Sequence, residues 1–349
     1  MVQLTGVFNY LPIDRVIYGN GSINQINDLL EEYKIANPLI LTSSSVSASK
    51  SFLDFLGKLK INYTVISNVT QHSPLSEIER AVDIISSKGC DGIITYGGGS
   101  VIDSGKAIRY YHGTDVKQIA IPTTLSAAEF SHIAGFTNEG EKQGIRDKKL
   151  TVSAIFLDPS ATMETPEFLW NSSGIRSIDH CVETIIQPNI SEIGRHAALR
   201  GIELLFKNIG KNDVGAHFHC QIGEWYSYFQ VFDSPMGISH QIGKIIGAKF
   251  NIPHGVTSCI TLPITMKYYA KIFPQDMKEI ASSITGRDLK LEKPENAVFL
   301  LNELLETLNL RKKLSDYGVT ENDYDYISSK LKSPEDWQLD LVRELIREN

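Results

Sequence analysis

Positive charge is not in excess in this sequence. Its 349 residues carry 34 Lys and Arg against 41 Asp and Glu, a formal charge of -7, whereas a nucleic-acid binder presents a basic stripe or patch. The short clusters Lys148-Lys149 and Arg311-Lys312-Lys313 read as solvated loop or helix faces. Long apolar runs are also missing: nothing approaches the ~20 residues of a membrane span. Met1-Val2-Gln3-Leu4-Thr5-Gly6 lacks a basic region followed by an apolar one, so no secretory leader is expected. Cysteine is scarce. Cys90, Cys181, Cys220 and Cys259 lie far apart with no CxxC pair, which indicates neither a disulfide scaffold nor a thiolate zinc site. Reduced, buried thiols in a cytoplasmic protein are expected, and neither nucleic acid nor membrane is expected as a partner.

What is present is apolar content, 42% of the chain, enough for two cores at this length. From about residue 10 to 160, short apolar runs alternate with helical patterns: Asn37 to Thr42, Tyr63 to Ile66, Gly92 to Tyr96, Gln118 to Pro122 and Ala154 to Leu157. Runs buried on both faces and separated by helices, such as Ile78 to Ser87, predict a doubly wound parallel sheet. After Asp158-Pro159 the strand signals thin out. Helical periodicity takes over at Ile178 to Ile186, Gly194 to Ile209, Leu300 to Leu308 and Asp336 to Glu348. The expected organisation is an α/β dinucleotide-binding domain over 1–160 and an all-α substrate and catalytic domain over 161–349, with chemistry between the two halves.

Gly97-Gly98-Gly99 follows a predicted strand and precedes Ser100-Val101-Ile102-Asp103-Ser104-Gly105-Lys106, which reads as a helix opening. Glycines let backbone approach a pyrophosphate, and the N-terminus of a helix favours its negative charge. The turn lacks the GxGxxG spacing of the usual dinucleotide fingerprint, so a ligand-free loop is the competing reading. Pro122-Thr123-Thr124 ends the next strand and brings hydroxyls to the same carboxyl edge. Leu41-Thr42-Ser43-Ser44 offers hydroxyls and no carboxylate, so neither NAD nor NADP is rejected. The expected cofactor-binding residues are Ser43, Gly97, Gly98, Gly99, Ser100, Asp103, Lys106, Thr123, Thr124 and Ser126.

In the helical half, His180 stands in Ser173-Gly174-Ile175-Arg176-Ser177-Ile178-Asp179-His180-Cys181-Val182-Glu183. His240 and His254 lie in Gly237-Ile238-Ser239-His240-Gln241-Ile242-Gly243-Lys244 and Asn251-Ile252-Pro253-His254-Gly255. Together with Gly97 to Lys106, Pro122-Thr123-Thr124 and Asp158-Pro159, these segments resemble the iron-containing alcohol dehydrogenase family over most of residues 10 to 265. The resemblance implies a dinucleotide-binding α/β domain, an all-helical domain and a metal held by one Asp and three His. Carried over by position, the ligands are Arg176 in place of the Asp, then His180, His240 and His254. Lys244 stands where the family more often carries a further His.

An arginine does not lose its proton near neutral pH and repels a divalent ion, so no metal is expected. Asp179 is rotated by roughly 100° from His180 and is not expected to rescue the site. The compact segment Pro122 to Ser131 and Gly144-Ile145-Arg146-Asp147 are similar to the maleylacetate reductase branch, which the resemblance implies has Asn at the Asp position and does without metal.

The function expected is metal-independent, NAD(P)-dependent reduction of a small keto or aldehyde substrate, one that carries a carboxylate included, by a homodimer. Arg176 is expected to anchor the substrate or stabilise an oxyanion, with His240 or His254 as general acid and His180 and Lys244 beside them. Pairing of Arg176 with Asp179 or Glu183 on its own helix is the competing reading. His72, His112, His132, His196, His217 and His219 are expected to be structural. Two other functions stay open: a lyase or cyclase resembling dehydroquinate synthase that uses NAD without net turnover, and a non-catalytic dinucleotide-binding homologue.

Overall fold

The computed structural model describes residues 7–71, 73–113, 116–138, 141–230 and 237–348, with the side chains of 141 and 142 left aside. Its strands are β1 (Arg15–Tyr18), β2 (Pro38–Leu41), β3 (Thr64–Ile66), β4 (Gly92–Gly97), β5 (Lys117–Pro122), β6 (Ile133–Asn138), β7 (Glu141–Arg146) and β8 (Ala154–Leu157). Six of them form one sheet in the order β1-β8-β5-β4-β2-β3, every pairing parallel. β6 and β7 form a separate antiparallel pair. The helices before residue 150 are α1 (Ile26–Glu32), α2 (Ser44–Ser47), α3 (Lys50–Lys58), α4 (Leu75–Ser87) and α5 (Gly99–His112).

Successive side chains of a strand point to opposite faces, and here both faces are covered. Ile40, Ile94, Tyr96, Ile119 and Ile121 pack with Ile26, Leu30, Phe52 and Phe55 of α1 and α3. Leu39, Leu41 and Ile93 pack with Ile78, Ala81 and Ile85 of α4 and with Ala107 and Ile108 of α5. Two-sided burial is why β2, β4 and β8 read as unbroken apolar runs, and the doubly wound fold is as expected. β1 and the β6–β7 pair were not expected. β1 is an edge strand of four residues with exposed or half-buried side chains, and β6–β7 carries glycine and charge in place of an apolar run.

The remaining helices are α6 (Glu167–Ile185), α7 (Glu192–Asn208), α8 (Val214–Ser227), α9 (Ile238–Lys249), α10 (His254–Ile272), α11 (Pro274–Thr285), α12 (Pro294–Thr307), α13 (Tyr324–Lys330) and α14 (Asp336–Arg347). α6 begins eleven residues before the expected Ile178 (178 against 167), because Asn171-Ser172-Ser173-Gly174 reads as loop yet is buried. α7 and α10 pack against α6, and small polar residues let neighbouring helices approach.

The chain divides into two compact units. One comprises Asn9–Thr165 with Lys211–Gln221; the other comprises Pro166–Gly210 and Ile222–Asn349, with the first residues of the chain. Within the first, the Thr162 hydroxyl lies 2.7 Å from His217 Nδ1, and the Tyr18 and Phe218 rings stack with centroids 6.4 Å apart. Among the described residues no helix is long and apolar enough to cross a membrane. All four cysteines are buried, and none is in a disulfide.

Candidate active site

In the α/β unit, β4 runs into the glycine turn and α5 starts at Gly99. A Cβ on Gly97 would lie 2.8 Å from Val101 Cγ2, one on Gly98 3.0 Å from Thr124 Cγ2 and one on Gly99 3.0 Å from Ser126 Oγ. A larger residue at Gly97 would overlap Val101 of α5, and at Gly98 and Gly99 it would crowd Thr124 and Ser126, because the segment after β5 lies against that part of the turn. Thr123 N donates to Gly97 O at 3.1 Å. The two polar turns foreseen at one carboxyl edge are therefore in contact, with the N-terminus of a 14-residue helix behind them. Ser100 lies in the first turn of α5, where its carbonyl accepts from Ser73 Oγ at 2.9 Å. Ser43 caps α2 at the end of β2.

Asp103 and Lys106 are placed differently from the expectation that both contact the cofactor. Lys106 is wholly buried, and its Nζ donates to Asp103 Oδ1 (3.1 Å), Ala128 O (2.6 Å) and Ile133 O (2.9 Å). An ammonium has three N–H donors, so none is left for a phosphate, and the cofactor-contact role of Lys106 is corrected. Asp103 keeps one part-exposed edge while its Oδ2 accepts from Gly135 N at 3.0 Å.

In the helical unit, α6 sets Arg176, Asp179, His180 and Glu183 on one face, since residues three, four and seven apart share a side of a helix. Arg176 Nη1 lies 3.8 Å from Asp179 Oδ2 and donates to Ser258 Oγ on α10 at 3.1 Å. Ser258 Oγ donates onward to Asp179 Oδ2 at 2.6 Å, and Ser239 Oγ on α9 donates to the same oxygen at 3.0 Å. His240 Nδ1 stands 2.7 Å from Glu183 Oε2 and 3.4 Å from Asp179 Oδ2. Glu183 Oε1 accepts the backbone N–H of Ser239 (2.7 Å) and of His240 (3.3 Å), so a side chain of α6 caps α9. Gly237 makes room: a Cβ there would lie 2.3 Å from Glu183 Cδ. The His180 and His240 rings are 4.6 Å apart at 30°, with Tyr228 edge-on to His180 at 5.2 Å.

All of these groups are buried save Arg176, whose side chain is 14% exposed. Burial works against ionised Asp179, but the charges of His240 and Arg176 outweigh it and hold its carboxyl below the usual range. Burial, then the repulsion of Asp179, raises Glu183. Burial and Arg176 oppose a charge on His240; the two carboxylates win and raise it. Burial, then the nearby His240 and Arg176, keeps His180 neutral. Arg176 thus balances Asp179, and His240 balances Glu183.

Asp179, Glu183 and His240 each offer a ligand atom within 4.8 Å of the others, a grouping that could hold a metal ion. Asp179 Oδ2 and Glu183 Oε1 already accept hydroxyls and backbone N–H groups, whereas Asp179 Oδ1 and His240 Nε2 are buried with no hydrogen-bond partner among the described residues. Of the four positions implied by the resemblance, the first is a guanidinium, which offers no lone pair to an ion, and His254 stands exposed at the start of α10. His180 and His240 come together, whereas neither exposed His254 nor exposed Lys244 enters this buried cluster. The Arg176–Asp179 pairing weighed against a site role exists, yet inside the histidine cluster. Asp179, Ser239 and Ser258 were missed as a hub, and Glu183 as a cap. The available signal was the face Arg176, Asp179, His180, Glu183, where Asp179 is as near Arg176 as His180 is.

His217 pairs with Thr162 as a structural residue, and His196 and His219 bond carbonyls of their own helices. His132 is buried, His112 lies in the last turn of α5 and His72 lies outside the described residues.

Residues 13–159 match the model of the iron-containing alcohol dehydrogenase family, and residues 171–333 match that of the Fe-containing alcohol dehydrogenase family, C-terminal. A maleylacetate reductase from Pseudomonas aeruginosa is 26% identical over 96% of this chain and 95% of its own. Among solved structures, maleylacetate reductase from Agrobacterium tumefaciens superposes with a TM-score of 0.86 at 22% identity, covering 99% of this chain and 98% of that one. Alcohol dehydrogenase from Oenococcus oeni reaches 0.90 at 19% identity, over 97% of this chain and all of its own, 100%. With both halves matched in order, the chain belongs to the iron-containing alcohol dehydrogenase family of oxidoreductases, on its maleylacetate reductase-like branch.

Proposed function

We propose that this enzyme reduces a small keto or aldehyde substrate with NAD(P)H and without a metal, Arg176 acting as the cation that a metal supplies in the metal-dependent members of the family. The observation that carries this is the half-buried guanidinium of Arg176, held against Asp179 and Ser258 at the position where the resemblance places a ligand carboxylate. When bound, NAD(P)H supplies a hydride to the carbonyl carbon. The C=O π pair then moves to oxygen, and Arg176 offers its N–H donors to that developing oxyanion, a charge-assisted contact in a low-dielectric setting.

Protonated His240 gives its Nε2 proton to the oxyanion and keeps Nδ1–H toward Glu183, so the pair returns to a neutral imidazole beside a carboxylate. Its Nε2 has no hydrogen-bond partner among the described residues. Neutral His180 adds no third positive charge beside Arg176 and His240.

A keto acid such as maleylacetate suits a guanidinium, whose planar fork also takes a carboxylate in bidentate fashion, and the named relatives support it. Ser43 and Ser44 follow β2 without a carboxylate, so NADH and NADPH are both expected to serve. The family resemblance is the support for a cytoplasmic homodimer. The test is NAD(P)H consumption by protein dialysed against chelator, over a panel of maleylacetate, other 2- and 3-oxo acids and aldehydes. Turnover that added iron or zinc does not raise supports the reading. Turnover that appears only with added metal, or none with any member, overturns it.

A further inference from the structure

Lys106 has a role that follows from what it cannot do. It is wholly buried in α5, and its three N–H groups are engaged by Asp103, Ala128 O and Ile133 O. A buried ammonium carries a large desolvation cost, and an apolar side chain of similar volume would fill the same space without it. Of the two carbonyls it holds, one belongs to Ala128, which opens the turn Ala128–Phe130 after β5, and the other to Ile133, which opens β6. Immediately before that turn, Ala127 has φ 57° and ψ 19°, the left-handed region that a residue with a Cβ rarely enters. Such strain persists only where the surroundings over-determine it. The same segment supplies Thr124 and Ser126, which lie 3.0 Å from where a Cβ on Gly98 or Gly99 would stand. Asp103 ties the assembly from the far side by accepting from Gly135 N.

We propose that Lys106 is a positioning residue for the dinucleotide: its grip on Ala128 O holds the Ala127 turn in its left-handed shape and so sets the space beside Gly98 and Gly99, without touching the ligand. This rests on the dinucleotide lying at the glycine turn, which NADH binding by the unmodified protein tests separately.

The experiment is a fluorescence titration with NADH, with thermal unfolding recorded in parallel. Lys106→Met is expected to weaken NADH binding by about ten-fold or more, and Lys106→Gln, which keeps two donors on a shorter stem, by less. Ala127→Gly alone stays within about two-fold, because glycine takes a positive φ without cost. Added to either Lys106 variant, Ala127→Gly restores about five-fold of the lost affinity, since the turn no longer needs to be forced. A general loss of packing, or of the charge itself, would not be relieved by that second change. Unchanged NADH affinity in both Lys106 variants overturns the inference, as does a loss that Ala127→Gly leaves in place. If the unmodified protein binds neither NADH nor NADPH, the assignment of the glycine turn falls and this inference falls with it.

Discussion

Arg176 Nη1 stands 3.8 Å from Asp179 Oδ2 on the next turn of α6, with the Ser258 hydroxyl bridging the two at 3.1 and 2.6 Å. At that separation and an effective dielectric near 20 the attraction is about 4 kcal/mol. Several kcal/mol of desolvation per buried ion oppose it. The pair is close to break-even for folding, so its value lies in fixing where a guanidinium sits. Asp179 also faces His240, and one carboxylate oxygen thereby sets the spacing of the two groups proposed to serve oxyanion and proton.

Arg176→Ala is the direct probe. Removing a donor aimed at a developing oxyanion costs on the order of 10²- to 10³-fold in kcat. That loss is expected here, with NADH affinity unchanged because the glycine turn belongs to the other unit. Steady-state kinetics beside an NADH titration decide it; full activity in the variant would remove Arg176 from the mechanism.

Arg176→Asp puts a carboxylate one turn before His180, with His240 beside that ring. Carboxylate and imidazole are ordinary ligands of zinc and iron. The variant is expected to purify with, or take up, about one such ion per chain, while the unmodified protein carries far less. Metal analysis after dialysis reads the difference, and equal contents in the two proteins would show that Arg176 does not keep an ion out.

His217 should contribute stability that mild acid removes. Burial holds both His132 and His217 below the usual 6.5; Arg146, Lys106 and Lys148 add to this at His132, and Asp213 opposes it at His217. At these two positions the unfolded chain takes up protons first as pH drops through about 6.5, and the stability they confer, complete above that pH, is lost below it. His240 and Glu183, both raised, act in the opposite sense, so the contribution is read by difference. Between about pH 7.5 and about pH 5.5 the urea midpoint of the unmodified protein is expected to change less favourably than that of His217→Asn, which keeps a polar atom toward Thr162; equal changes in the two proteins would contradict the assignment.

The sheet core gives a prediction of stability alone. Phe52 is almost fully buried, and its ring meets Tyr96 edge-on at 5.2 Å and Phe55 at 6.1 Å. Phe52→Ala leaves a cavity and should cost about 3–5 kcal/mol in denaturant unfolding. A cost under about 1 kcal/mol would mean that the neighbours collapse into the space.

What could be read beforehand follows from where information is local. β2, β4 and β8 announce themselves because two-sided burial selects apolar residues in sequence. β1 pairs with β8 far along the chain, and the β6–β7 pair is anchored by Asp103 and Lys106 of α5; neither contact leaves a pattern inside its own segment. The same division holds at the site. Arg176, His180 and His240 were legible as members of spaced motifs. The hub at Asp179 was not, because Ser239 and Ser258 reach it across 60 and 79 residues of sequence, and only the packing of α9 and α10 on α6 brings them there.

The pairing of Thr162 with His217, and of Tyr18 with Phe218, bears on how the protein is born. The α/β unit is not a contiguous stretch of gene: its last segment, Lys211–Gln221, is separated from Thr165 by the 45 residues Pro166–Gly210 of the other unit. A ribosome that has released the whole six-stranded sheet still holds back a piece of that unit. A fragment cut at Thr165 would lack His217, the partner of the buried Thr162 hydroxyl, and the Phe218 ring that stacks on the exposed Tyr18.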